Sequence, residues 1–195
     1  TRIQKLDDRI FTRLKMQAEI QCRSLATGET EHEILENHHS QNFGLSQLPP
    51  HHHADLFWDL EGYPLEEGGL EYLWGCAYFE EQSERQFWER WAHNQEQEKH
   101  AFIDFIKFAF SRWKQNPGMH IYHYGHYEIS VCKRLMGRYG VCEIEVDELL
   151  RHNVFIDLYK VVKHGLLLGE PKYSIKNVEH LYRNARDTDV ASGGD

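Results

Sequence analysis

Six residues constrain this chain more than any other stretch: Phe57-Trp58-Asp59-Leu60-Glu61-Gly62. Successive strand side chains point to opposite faces, so Trp58 and Leu60 share one face and Asp59 and Glu61 the other. Such a strand is half-buried, with a core under its apolar face and two carboxylates side by side on its open one. Neighbouring carboxylates repel, and one takes up a proton unless a cation between them lets both ionise. Mg²⁺ and Mn²⁺ require converging hard oxygen ligands of this kind. Read alone, the pair is first of all the solvated face of an edge strand, and only the rest of the chain raises it.

After the Gly62-Tyr63-Pro64 to Gly68-Gly69 turn region, the aromatic-rich stretch 70–79 reads as a second strand and 86–92 as a third, an antiparallel meander. Phe102, Ile106, Ala109, Phe110 and Trp113 fall on one helical face between about 95 and 115, and Asn116-Pro117-Gly118 stops that helix. Then come a short strand at 120–125, a helix over 128–139, a second over 143–152, an apolar strand at 154–157 and a final helix over 174–183 with Ser174 as N-cap. The order β-β-β-α-β-α-α-β-α implies an α/β domain, one mixed sheet with helices packed over both faces. Ahead of it, Ile3, Leu6, Ile10, Leu14, Ala18 and Cys22 recur at three- and four-residue steps, which predicts an amphipathic helix over 3–26 ended by Thr27-Gly28. Its stripe suits docking on a neighbouring domain. Residues 28–53, polar and poor in apolar anchors, read as a linker.

The 195 residues can bury one sizeable core, or one core plus an appended helix. No apolar run approaches the roughly 18 residues that cross a membrane. Four cysteines without C-x-x-C spacing read as reduced thiols, which makes the cytoplasm the expected compartment. A net charge of −9 argues against a broad basic surface for nucleic acid, but not against a site where metal ions supply the positive charge. The 14 histidines are scattered and form no facial His/His/acid set, so an oxygen-activating metalloprotein is disfavoured. The start, Thr1-Arg2-Ile3-Gln4, has neither an initiator Met nor a signal-peptide pattern and reads as a piece of a longer protein.

Two further acids stand where α/β sheets place chemistry. Glu128 follows a strand at a strand-to-helix turn, and Asp157 ends an apolar strand. By pattern alone Glu128 is also an ordinary helix-start acid, and Asp195 is tail.

From Leu48-Pro49-Pro50 onward the chain resembles the ribonuclease H-like, DEDD-type 3′–5′ exonuclease superfamily, and most closely the YprB-type domain found downstream of a RecB/Cas4-like segment in bacterial nucleases. The phrases that carry the resemblance are Asp55-Leu56-Phe57-Trp58-Asp59-Leu60-Glu61-Gly62, Gly69-Leu70-Glu71-Tyr72-Leu73-Trp74-Gly75, Ile121-Tyr122-His123-Tyr124-Gly125-His126-Tyr127-Glu128, Phe155-Ile156-Asp157-Leu158-Tyr159 and Tyr173-Ser174-Ile175-Lys176. The resemblance implies residues 1–27 as a helix joining an upstream domain, 28–53 as linker and 54–195 as a C-terminally truncated ribonuclease H-like nuclease domain.

It further implies Asp59 and Glu61 as the first acidic motif, Glu128 where the second usually has Asp, and Asp195 as the last carboxylate. Together they would hold two Mg²⁺ or Mn²⁺ ions about 4 Å apart for phosphodiester hydrolysis. Asp157 would support the site. No Tyr or His stands three to five residues before Asp195, where the superfamily's exonucleases place a general base. Tyr124 or His126 would then position water or phosphate, and Lys176 would reach a phosphate; the plain readings are a packed aromatic and a solvated lysine. Tyr72, Trp74 and Trp88 are candidate base-stacking platforms, although strand aromatics usually belong to cores. The implied partners are single-stranded nucleic-acid ends, the upstream RecB/Cas4-like segment and an attached helicase. The alternative is a catalytically degenerate module that binds nucleic acid or a partner and leaves cleavage to its neighbours, favoured by Glu at 128, the missing base and the acidic balance.

Overall fold

A computed structural model describes residues 7–35, 43–80 and 84–183. In chain order they form α1 (Asp8–Thr27), β1 (His32–Ile34), β2 (Leu56–Tyr63), β3 (Leu70–Phe79), β4 (Arg85–Trp91), α2 (Gln95–Gln115), β5 (Ile121–His123), α3 (Tyr127–Tyr139), α4 (Glu143–Arg151), β6 (Phe155–Asp157), α5 (Leu158–Gly165), β7 (Leu166–Leu168) and α6 (Ile175–Val178), with short 3₁₀ turns at Gly44–Gln47 and Glu179–Leu181. The chain divides into two compact units, 49–158 and 1–48 with 159–195.

The larger unit, 49–158, is of the expected α/β class. Its five-stranded mixed sheet runs β4-β3-β2-β5-β6 and is flanked by helices. β2, β3 and β4 form the antiparallel meander, while β5 lies parallel to β2 and β6 parallel to β5. Along β2, Leu56, Trp58 and Leu60 are buried, so the alternation read from the sequence holds through Glu61; the ladder then shifts register between Glu61 and Gly62. Under that face the Trp58 ring stacks on Phe105 of α2 at 4.4 Å, and Trp74, Phe102, Ile106 and Leu135 are fully buried around them. Aromatic rings bring large buried area and preferred offset or tilted packing, which fixes the helix against the sheet. Trp74 is therefore core and offers no base-stacking surface, and Trp88 packs on Phe105 and Phe108 at 5.6 and 5.9 Å. Tyr72 lies tilted on Trp91.

Within the unit 1–48 with 159–195, Asp7 caps α1 by accepting from the Arg9 amide at 2.8 Å, and Gly28 closes it. The start expected at residue 3 lies outside the described residues. Arg13, Gln17 and Gln21 of α1 donate to the carbonyls of Lys163, Leu168 and Glu170 at 2.9, 2.7 and 2.9 Å. Part of the stretch expected as linker is strand: β1 pairs antiparallel with β7, His32 opposite Leu168. The expected helix over 174–183 is a single turn, α6, followed by a 3₁₀ turn. Ser174 gives it no side-chain cap, because its hydroxyl donates to Asn177 Oδ1 at 2.6 Å. All four cysteines are free thiols. Among the described residues no helix is long and apolar enough to cross a membrane.

Candidate functional site

The three parallel strands β2, β5 and β6 end toward one edge of the sheet, the place where open α/β sheets bind ligands. The pairing sets Phe57 opposite Tyr122 and His123 opposite Asp157, so Asp59 lies just beyond the level where β5 ends. The chain leaving β5 turns through Tyr124-Gly125-His126 directly into α3, which carries Glu128 in its first turn. Gly125 has a φ of +103°, a conformation that side-chain-bearing residues rarely adopt, and its amide donates to Asp157 Oδ1 at 3.0 Å. Asp157 at the end of β6 thus holds the loop that delivers Glu128.

The carboxylates of β2 and α3 feel one another. Asp59 keeps an edge open to water, but the protein atoms packed around it raise its carboxyl above the usual carboxylate range. The negative charge of Glu128 adds the next push; the Leu60 amide opposes it, and Glu61 contributes a smaller push. Glu128 is buried, at 3% exposure, and its Oε2 has no hydrogen-bond partner among the described residues. His123 Nδ1 stands 3.5 Å away, also buried and also without a hydrogen bond among the described residues. Buried polar atoms are nearly always satisfied, so a facing pair of orphans marks a place where something else is accommodated.

Four of the sequence candidates, Asp59, Glu61, Glu128 and Asp157, are thus brought to one edge of the sheet. Tyr124 is half-buried and His126 exposed in the loop before α3. Lys176 is exposed on α6, in the other unit. Asp195 lies outside the described residues. In donor type and charge, Asp59, Glu61 and Glu128 suit a hard divalent cation, and the orphaned Glu128 oxygen is the atom such an ion would satisfy. Among the described residues, however, no three His, Cys, Asp or Glu side chains form a ready ligand group.

Sequence reasoning missed a second polar cluster beside these acids. Glu71, at 2% exposure on β3, accepts from the Tyr127 hydroxyl at 2.7 Å and pairs with the Arg134 guanidinium. Burial, then that bond and the Glu71 charge, push the Tyr127 hydroxyl far up, so it stays a proton donor. A cleft of about 310 Å³ lined by Tyr63, Leu70, Glu71, Tyr127 and Arg134 opens next to it. No local pattern announces Glu71, since its burial depends on an arginine far along the chain.

A family model for the RNase H superfamily matches residues 56–195. The chain belongs to the RNase H superfamily. The match spans the five-stranded sheet and both helices between β5 and β6, and nuclease-like activity is the class to which RNase H superfamily membership points. No match to a curated protein or to a solved structure is found.

Proposed function

We propose that this chain carries a divalent-metal-dependent nuclease domain that hydrolyses phosphodiester bonds at the ends of DNA or RNA strands. The observation that carries the reading is the charge conflict between Asp59 and the buried, unsatisfied Glu128, and membership of the RNase H superfamily supports reading the pair as metal ligands. Asp59, Glu61 and Glu128, with Asp195, are the residues that would hold Mg²⁺ or Mn²⁺. When bound, the ions would lower the pKa of the attacking water and stabilise the leaving oxygen.

The chain's own residues do the rest. Glu for Asp at position 128 lengthens the carboxylate arm by one methylene, and burial of Glu128 beside His123 restrains that arm. Asp157 restrains the loop from which Tyr124 and His126 would meet phosphate or water, and Lys176 would also meet a phosphate. The RecB/Cas4-like segment and a helicase remain the proposed partners. A second reading, a degenerate binding module, draws on the lack of a three-ligand group among the described residues.

End-labelled single-stranded DNA and RNA, incubated with Mn²⁺, Mg²⁺ or EDTA, separate the two. Products that need metal and disappear in Asp59→Ala support the nuclease, and their ladder gives polarity and sugar preference. No products under any condition, with no Mn²⁺ binding by titration, leave the binding module.

A further inference from the structure

The acids of β2 and the acid of α3 belong to different elements, so their separation depends on whatever fixes α3 against the sheet. Two buried glutamates do this, one at each end of the helix. Tyr127, the first residue of α3, donates to Glu71 at 2.7 Å, and Arg134 takes the other oxygen of the same carboxylate. Tyr139, the last residue, donates to Glu98 at 2.5 Å, with Arg138 at 3.3 Å from the same oxygen. Glu98 is fully buried, and its remaining oxygen accepts the Glu71 amide at 2.6 Å, which joins the two sets. Arg134 and Arg138 also donate to the carbonyls of Gly68 and Gly69 in the β2–β3 turn. Each oxygen of Glu71 thereby accepts from a side chain of α3.

The first of these grips lies directly against the candidate site. A Cβ on Gly62, the residue after Glu61, would collide with both the Tyr127 hydroxyl and the Glu71 carboxylate. Only glycine lets the Tyr127–Glu71 bond pass this close to β2. Glu128 follows Tyr127 in the chain, and Glu61 precedes the Gly62 against which the bond packs.

We infer that the Tyr127–Glu71–Arg134 cluster over Gly62 is a positioning clamp that sets the spacing between the β2 carboxylates and Glu128, and with it the affinity of the site for a divalent cation. The inference rests on the nuclease reading of those carboxylates. Groups that orient metal ligands typically alter affinity 10–100-fold when removed. The bond at the far end of α3 supplies a matched control, because it is chemically alike and has no acid of the site beside it.

The experiment compares the full chain with Tyr127→Phe and Tyr139→Phe, using Mn²⁺ titration and amide hydrogen exchange in metal-free buffer. The Ser130 amide, which bonds back to the His126 carbonyl at 3.1 Å, reports the first turn of α3, and the Gly140 amide on Met136 reports the last. Tyr127→Phe is expected to speed Ser130 exchange about ten-fold and to raise the Mn²⁺ dissociation constant about ten-fold or more. Tyr139→Phe is expected to speed exchange at Gly140 and leave Mn²⁺ affinity within two-fold of the parent. Unchanged Ser130 exchange in Tyr127→Phe overturns the clamp. Faster exchange with unmoved Mn²⁺ affinity, or an equal Mn²⁺ loss in Tyr139→Phe, overturns its role in positioning. If the parent chain and Asp59→Ala alike bind no Mn²⁺, it is the nuclease reading that fails, and the exchange comparison by itself decides whether the clamp fixes the Glu128 turn.

Discussion

Asp59 carries a cost in the folded protein that it does not carry in the unfolded chain. Its folded carboxyl titrates above the ordinary value, first through burial and next through the charge of Glu128. The folded state therefore keeps a proton over a pH range where the unfolded chain has lost it. Stability falls as pH rises through that window; the cost is absent below the unfolded value and complete above the folded one. Asn at this position is neutral throughout. Without metal, Asp59→Asn is expected to melt a few degrees above the parent at pH 7, a modest gain because the side chain is partly open to water. The gap closes as pH drops into the ordinary carboxylate range. Saturating Mn²⁺ should reverse the order, since an ion that binds the folded parent more tightly stabilises it by mass action. A melting series in pH, with and without Mn²⁺, checks this; an Asn variant that melts below the parent at neutral pH without metal contradicts the repulsion.

At the scale of elements, the loop from β5 into α3 matters most. Gly125 at φ +103° lets the chain turn from the end of β5 to Glu128 within a few residues, and the Asp157 bond pins that turn. The space around a Cβ at Gly125 is open, so Gly125→Ala meets no steric neighbour and its penalty is backbone strain alone. Strained backbone of this kind costs about 1–3 kcal/mol. The urea midpoint should fall accordingly, and Mn²⁺ binding should weaken more than a comparably destabilising core variant such as Leu135→Val weakens it. An equal loss in both would mean that the loop contributes stability and no placement.

The parts of this region that are visible in sequence are those with a local period. Alternation placed Asp59 and Glu61 on one face, and the strand-then-helix pattern placed Glu128 at the turn. β1 and β7 escaped notice because three-residue strands have no period of their own and exist only through each other. His123 and Glu71 escaped for a related reason. Their surroundings are set by Glu128 and by Arg134, partners reached through tertiary folding and not through neighbouring sequence.

For the molecule as a whole, charge decides how nucleic acid is held. The net charge is −9, and many of the arginines and lysines are already committed: Arg134 to Glu71, Arg138 to Glu98, Arg90 to Asp104, Lys114 to Glu148 and Arg151 to Asp147. With 31 Asp and Glu against 22 Lys and Arg the chain offers no net positive charge to phosphates, and each phosphate neutralised on a single strand adds about 0.7 to the slope of log affinity against log salt. Binding of single-stranded DNA in EDTA should therefore be weak, with a slope no steeper than about −2, the equivalent of three phosphates at most. Mg²⁺ or Mn²⁺ should strengthen it by bridging the carboxylate edge of the sheet to a phosphate, and that gain should vanish in Asp59→Ala. Fluorescence anisotropy on a labelled oligonucleotide across a salt series measures both quantities. A steep slope in EDTA, indifferent to metal and to Asp59→Ala, would locate binding on a basic surface instead. Asp59 and Glu61 at the end of β2 would then be solvated carboxylates, and the degenerate binding module would be the better account of the chain.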